Sequence, residues 1–267
     1  MAKKFELTAE FVTNIFGKKF FRIKALMAFG DVKEGELGGY LEKEENLDHD
    51  GDAWVYGDAW VYGNARVYGN ARVSGDAWVY GNARVYGDAW VYGNARVSGD
   101  AWVYGNARVY GNARVSGDAW VYGDARVYGN ARVYGNVEVS GDAWVYGNAR
   151  VYGNARVYGN AEVSGDAWVS DDAQVYGNAR VSGDAWVYGD ADYATVSGFG
   201  SQFRTTTFFR LKGGDIGVQC GCFYGTIEQF REKVQETHRD SKYAKEYLMI
   251  ADLMELHFER EEEKNIV

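Results

Sequence analysis

Gly51-Asp52-Ala53-Trp54-Val55-Tyr56 is followed at once by Gly57-Asp58-Ala59-Trp60-Val61-Tyr62. This unit of Gly, Asp or Asn, Ala, Trp or Arg, Val, Tyr or Ser keeps its register, with few exchanges, through Gly189. A strict period this short predicts a solenoid, in which each repeat packs on its neighbours. Successive side chains of a strand point to opposite faces. One face therefore receives Ala and Val, and the other receives Trp or Arg and then Tyr or Ser. Small apolar residues suit a narrow interior, so the bulky and polar ones are expected outside. Gly with Asp or Asn makes the corner, because Gly tolerates positive φ freely and Asp and Asn do so better than other residues.

A coil of two sides would take two hexapeptides and a coil of three sides would take three. Sheets filled by ordinary side chains pack about 10 Å apart. Ala and Val alone fill that gap poorly, whereas a triangular section brings three small faces together. Val55 is followed four places later by Ala59, and the pairing recurs. In this the chain resembles the hexapeptide-repeat left-handed β-helix, whose coils have three sides of one hexapeptide each. The Gly which that family places directly after the aliphatic is Tyr or Ser here, with Gly one place later. The left hand is implied by the resemblance only, since crossovers in general favour the right. Residues 51–194 then make eight coils of 18, a rod roughly 40 Å long. The fold class expected is an all-β solenoid, with an N-terminal β cap over 1–50 and a small α+β cap over 195–267.

The 267 residues carry a net charge of −9, two Cys and no Pro. Two Cys in so long a chain are no disulfide framework. Neither a membrane span nor a signal peptide is legible, so a cytoplasmic location is expected. In the N-terminal cap, Phe5, Leu7, Ala9 and Phe11 alternate as in a half-buried strand. Phe20–Leu26 is a second strand after a Gly17-Lys18 turn. Gly30-Asp31-Val32 and Gly38-Gly39-Tyr40-Leu41 read as degenerate corners. Beyond the repeats, Phe203–Leu211 and Ile216–Phe223 are predicted strands. A capping box at Thr226 and Gln229 starts a helix to about His238, and a second helix spans Ser241 to about Glu262. That last helix either faces the core or pairs with a second subunit. Phe21-Arg22-Ile23-Lys24-Ala25-Leu26, Gly35-Glu36-Leu37-Gly38-Gly39-Tyr40 and Gly221-Cys222-Phe223-Tyr224-Gly225-Thr226-Ile227-Glu228 resemble the ends of repeat proteins of phages and prophages. If the chain is phage-encoded, its place is the host cytoplasm.

Chemistry is sparse. Hexapeptide β-helices are often acyltransferases with a His as general base on the solenoid. The three His here are His49, His238 and His257, all outside 51–194. Cys220 and Cys222 are expected on one face of a strand, where a mutual disulfide is poorly placed. With His238 or His257 they offer a weak zinc pattern, and free thiols are the better reading. No catalytic residue, metal or cofactor is expected.

The outward residues carry what remains. With three hexapeptides to a coil, one column reads Trp60, Trp78, Arg96, Arg114, Arg132, Arg150, Trp168, Trp186, flanked by Tyr62, Tyr80, Ser98, Ser116, Tyr134, Tyr152, Ser170 and Tyr188. A second holds Trp54, Arg72, Trp90, Arg108, Arg126, Trp144, Glu162 and Arg180, and a third Arg66, Arg84, Trp102, Trp120, Glu138, Arg156, Gln174 and Asp192. Arg forks bind phosphate and aromatic faces stack bases. Arg96, Arg114, Arg132 and Arg150, with Trp78, Trp168, Tyr134 and Tyr152, are therefore the candidate ligand-binding set for a nucleotide-like anion. The competing reading has the Arg paired with corner Asp and stacked on Tyr as stiff, soluble walls. Residues 51–194 hold 11 Arg against 14 Asp and 2 Glu, which disfavours long duplex DNA. The function expected is non-enzymatic capture of a nucleotide-like ligand or a host protein, and the alternative is a structural spacer or self-assembling scaffold. A homodimer is expected, from the number of outward aromatics.

Overall fold

The computed structural model describes residues 3–259. Each repeat contributes a short strand, from Trp54–Val55 to Trp186–Val187, and in most repeats four residues with a turn at the middle two join it to the next. Each strand pairs in parallel with the strand three hexapeptides further on. Val61 lies on Val79, Val55 on Val73 and Val67 on Val85, which gives three sheets and a three-sided coil. The repeat Ala and Val side chains are fully buried in one continuous core. Corner Gly lie in the left-handed region, and a Cβ on Gly117 (φ +73°) would come within 2.7 Å of the Gly135 nitrogen. One repeat has Asp171 in that place, at φ +53°, which Asp tolerates at some cost.

Corner Asn stack in directional chains. Asn112 Nδ2 donates to Asn130 Oδ1 at 3.2 Å, Asn130 to Asn148 at 3.0 Å, and Asn148 to Asp166 at 3.0 Å. Asp only accepts, so it ends a chain. The backbone has the same polarity: Trp78 N–H donates forward to Ala95 O and Arg96 N–H to Ala113 O, both at 2.9 Å. The first coil is therefore left with unpaired carbonyls and the last with unpaired N–H groups, and a buried unpaired group is costly.

The two caps supply what each end lacks. At the N-terminal end, buried Lys4 points its ammonium at the carbonyls of Ala53 (2.9 Å), Gly51 (3.2 Å) and Asp50 (3.4 Å). Asn46 Nδ2 donates to Ala65 O at 2.9 Å, and Tyr40 N–H to Ala59 O at 2.9 Å. At the C-terminal end acceptors take over. Asp190 Oδ1 accepts from Gln174 N–H at 2.9 Å, Asp192 Oδ2 from Tyr188 N–H at 3.0 Å, and Thr207 Oγ1 from Arg180 N–H at 2.9 Å.

The N-terminal hairpin pairs Phe5–Thr13 with Lys19–Ala25, which in turn pairs antiparallel with Leu37–Leu41. Leu37–Leu41 lies parallel on Trp60–Val61. The Gly38-Gly39 segment is thus a strand of the solenoid wall and not a corner. A Cβ on Gly38 would approach Val55 O to 2.5 Å, and one on Gly39 would approach Ala59 O to 2.5 Å, so only Gly fits. Trp54 was expected outside and is fully buried, with Phe5 and Phe29 packed edge-on against its ring. Its side chain leaves the coil on the outer face, and the cap covers it.

The C-terminal unit has four antiparallel strands, Tyr193–Phe199, Arg204–Arg210, Ile216–Cys220 and Phe223–Thr226. They carry α1 (Ile227–His238) and α2 (Lys242–Phe258), capped by Thr226 and Ser241. Residues 260–262 of the expected second helix lie outside the described residues. Phe208 and Phe209 are neighbours on opposite faces of one strand. Phe209 closes the solenoid core, and Phe208 joins the core under the helices. The expected third column ends at Gln174. Asp192 sits in a 3-10 turn over the last coil, where its carboxylate also receives Arg210 Nε at 2.9 Å. Cys220 ends its strand and Cys222 lies exposed in the following turn, so the two do not share a strand face.

Candidate ligand-binding strip

Arg96, Arg114, Arg132 and Arg150 stand in register on successive coils of one sheet, with Trp78 before them and Trp168 after. The two outer Arg are braced. The Arg96 guanidinium lies over Trp78 at 4.9 Å and that of Arg150 over Trp168 at 4.8 Å, a contact that orients the cation without neutralising it. Trp60 lies 5.8 Å from Trp78, and Trp186 lies 5.4 Å from Trp168. Each of the two candidate Trp is thus packed between a ring and a guanidinium. They serve as braces for Arg, and not as platforms for a planar ligand.

The two inner Arg differ. Arg114 and Arg132 are exposed, and among the described residues neither has an ion-pair or aromatic partner. The corners that precede these strands carry neutral Asn, with Asn112, Asn130 and Asn148 engaged with one another, whereas the corners that follow Ser98 and Ser116 carry Asp100 and Asp118. Elsewhere on the solenoid most Arg are occupied, Arg66 being an exposed exception. Arg156 meets Glu138 at 3.7 Å and Arg180 meets Glu162 at 3.2 Å. Arg72 pairs with Asp31 of the cap and Arg84 stacks on Trp102 at 4.7 Å. The expected pairing of Arg with corner Asp and stacking on Tyr is therefore not what this strip shows. Unit charges one coil apart repel by roughly 0.8 kcal/mol in bulk water, and among the described residues no carboxylate forms an ion pair with Arg114 or Arg132.

The neighbouring column is open over the same coils. Tyr normally stacks on Tyr one coil away, as in Tyr68, Tyr86, Tyr104 and Tyr122 at 4.8–4.9 Å and within 4° of parallel. Interior rings of such a ladder have both faces covered. Tyr152 stacks on Tyr134 at 5.2 Å and meets the edge of Trp168 at 6.0 Å, and it is half-buried. Tyr134 is different: the residue one coil before it is Ser116, paired to it in the ladder, and its ring is 40% exposed. Ser98 precedes Ser116, and Tyr80 precedes Ser98, stacked on Tyr62 at 5.0 Å. Tyr80, Ser98 and Ser116 were legible as members of the column, but their importance was not. The signal was two small residues in succession, one coil apart.

Burial raises the phenol pKa in these ladders, and like charge on a stacked neighbour adds to it. Tyr104 and Tyr128 are both pushed up to about 12. Other polar groups are already satisfied. The Tyr146 hydroxyl donates to Glu162 at 3.2 Å, and the Tyr122 hydroxyl to Glu138. His49 receives the Lys4 N–H on Nδ1 at 3.2 Å, and its Nε2 lies 2.8 Å from Glu44. A groove of about 730 Å³ next to it, lined by Glu44, Asp48, His49, Arg66 and Arg84, has mixed charge and lies apart from the strip. Thr206 Oγ1 donates to Cys220 Sγ at 3.2 Å. No group of three metal-ligating side chains gathers among the described residues.

The YdcK beta solenoid repeat family model matches the coils in nine stretches, residues 65–81, 77–93, 89–105, 107–123, 125–141, 131–147, 143–156, 155–171 and 173–189. The chain is similar to that family over these repeats, which agrees with the stacked β-coils described above. A search of curated proteins finds no match. No helix among the described residues is long and apolar enough to cross a membrane.

Proposed function

We propose that the protein is a non-enzymatic binding protein whose Arg96–Arg150 strip captures a small anionic, nucleotide-like ligand. The observation that carries this is the pair Arg114 and Arg132: exposed, one coil apart, and without an ion-pair partner among the described residues. Guanidinium groups so placed favour phosphate oxygens, which they can bind two at a time. A non-enzymatic role is supported by His49, whose two ring nitrogens are both engaged, and by the position of His238 and His257 on helices of the C-terminal unit. Capture inside a host cell is supported by the resemblance of the chain ends to phage and prophage repeat proteins. Titration calorimetry with inorganic tripolyphosphate tests the reading. Replacing Arg114 and Arg132 together with Gln should weaken binding by tenfold or more and leave the melting temperature nearly unchanged. The parent's affinity should fall as salt shortens the Debye length toward about 8 Å. Equal binding by parent and variant would refute the assignment.

A second reading, self-association, is favoured by α2. Its outer face leaves Met249, Leu253 and Leu256 exposed at 70%, 55% and 64%. Lys242 and Lys245 lie at one end of that face and Glu259 at the other. An antiparallel second copy would bring the Lys of each chain toward Glu259 of the other while covering the apolar stripe. Sedimentation at rising concentration should show a monomer–dimer equilibrium that Leu253→Lys abolishes. A monomer throughout the range removes this reading.

A further inference from the structure

We propose that the interval between Tyr80 and Tyr134 is a stacking slot for two to three unpaired bases of a short single-stranded nucleotide. Its phosphates would lie on Arg114 and Arg132. The proposal rests on the Arg-strip reading and specifies its ligand.

The two walls are Tyr rings, each backed by a second ring. Tyr62 lies 5.0 Å behind Tyr80 at 4°, and Tyr152 lies 5.2 Å behind Tyr134 at 5°. Ser98 and Ser116 form the floor, and neither side chain reaches far enough to continue the ladder. Three coil steps at the 4.9 Å spacing of stacked rings separate the walls by roughly 15 Å along the axis. Bases stack at about 3.4 Å, so the interval takes two or three layers with a Tyr face at each end. Where the outward residue of the next coil is Trp, the Tyr ring meets its edge, as Tyr128 does with Trp144 at 6.3 Å and Tyr152 with Trp168 at 6.0 Å. By the same spacing, Arg114 and Arg132 are the outward residues beside Ser98 and Ser116. Arg114 and Arg132 are flanked along their own column by Arg and not by the Trp that brace Arg96 and Arg150, so the free charges and the ring gap lie side by side on the same coils. Aromatic stacking tolerates any base, and a paired duplex has no free base face to insert.

The other serine gaps show what the fold does when the space is not open. Ser164 and Ser182 also succeed one another, but the C-terminal unit covers that end, with Ser182 Oγ donating to Gln219 at 3.1 Å. Ser140 and Ser170 are single gaps and are buried, and Ser74 is a single, half-buried gap. Ser98 and Ser116 are two coils deep, remote from both caps, and remain half-buried.

The test compares two probes, a single-stranded adenylate trinucleotide and inorganic tripolyphosphate. The main variant is Ser98→Tyr with Ser116→Tyr, which extends the ladder with the residue the repeat already uses. The expected result is a loss of trinucleotide affinity by tenfold or more, with tripolyphosphate affinity changed less than twofold. Should that variant fold poorly, Tyr80→Leu with Tyr134→Leu removes the walls and should show the same split. Parent and filled variant binding the trinucleotide equally, with binding lost in Arg114→Gln/Arg132→Gln, would overturn the slot and keep the strip. Parent binding tripolyphosphate but not the trinucleotide would do the same. Parent binding neither probe would overturn both.

Discussion

Replacing Val127 with Asp is expected to unfold the coils around it and to leave little soluble folded protein. Val127 is fully buried and lies in register between Val109 and Val145. Losing the Val side chain removes roughly 1.5–3 kcal/mol of burial. The greater cost comes from a carboxylate in a core of Ala and Val, with no partner and no water, which adds several kcal/mol even after it takes up a proton. In a solenoid the penalty is not shared over the whole molecule, because each coil is held by its neighbours. Hydrogen exchange should therefore show protection lost first around residues 109–145 and last near the caps. Val127→Ala is the control. It should cost about 1–3 kcal/mol and keep the coils intact. A Val127→Asp protein that melts within a few degrees of the parent would mean that the interior is wet or the register differs.

The second large effect is expected in alkali. Phenol pKa values near 10 in an unfolded chain rise on folding, to about 12 for Tyr104, Tyr128 and Tyr247, and upward also for Tyr62, Tyr68, Tyr86 and Tyr92. Desolvation is the first cause. In the ladders a tyrosinate beside a ring 4.9 Å away also meets repulsion once the neighbour ionises. Above pH 10 the folded state holds more protons than the unfolded one, so stability falls as pH rises. The contribution is complete below pH 10 and is lost as pH approaches 12. Lys4 acts with the opposite sign, because desolvation lowers its pKa to about 8. The unfolded state then binds the extra proton between pH 8 and about 10.5, and stability should rise slightly across that interval. Melting temperature against pH should thus show a shallow rise followed by a steep, many-proton collapse. Tyrosinate absorbance should lag the pH expected for free phenol until the fold opens. A smooth titration of most Tyr near pH 10 in the folded protein would contradict the ladder geometry.

What could be read from the chain and what could not differ in a physical way. The three-sided coil, the buried Ala–Val rows, the left-handed Gly corners and the order of each outward column followed from the hexapeptide alone. Each is settled by one unit stacking on a copy of itself, and the copies are in the sequence. The capping box of α1 was legible for a similar reason, since Thr226 and Gln229 are close neighbours in the chain. Four things did not follow from the repeating unit. Trp54 carries the same local pattern as Trp60, yet the cap residues Phe5 and Phe29 bury it. Asp192 continues the column by count, but the last coil needs acceptors for its free N–H groups, and there the carboxylate serves. Tyr193–Phe199 became a strand only because Arg204–Arg210 pairs with it. The open face at Ser98 and Ser116 arises where rings are missing from two successive coils. The sequence by itself determined which residues line each column. Only the tertiary structure decided which of those columns stay bare, because covering them is the work of caps and ladders whose members, such as Lys4 over Asp50 or Tyr146 on Glu162, lie far apart along the chain.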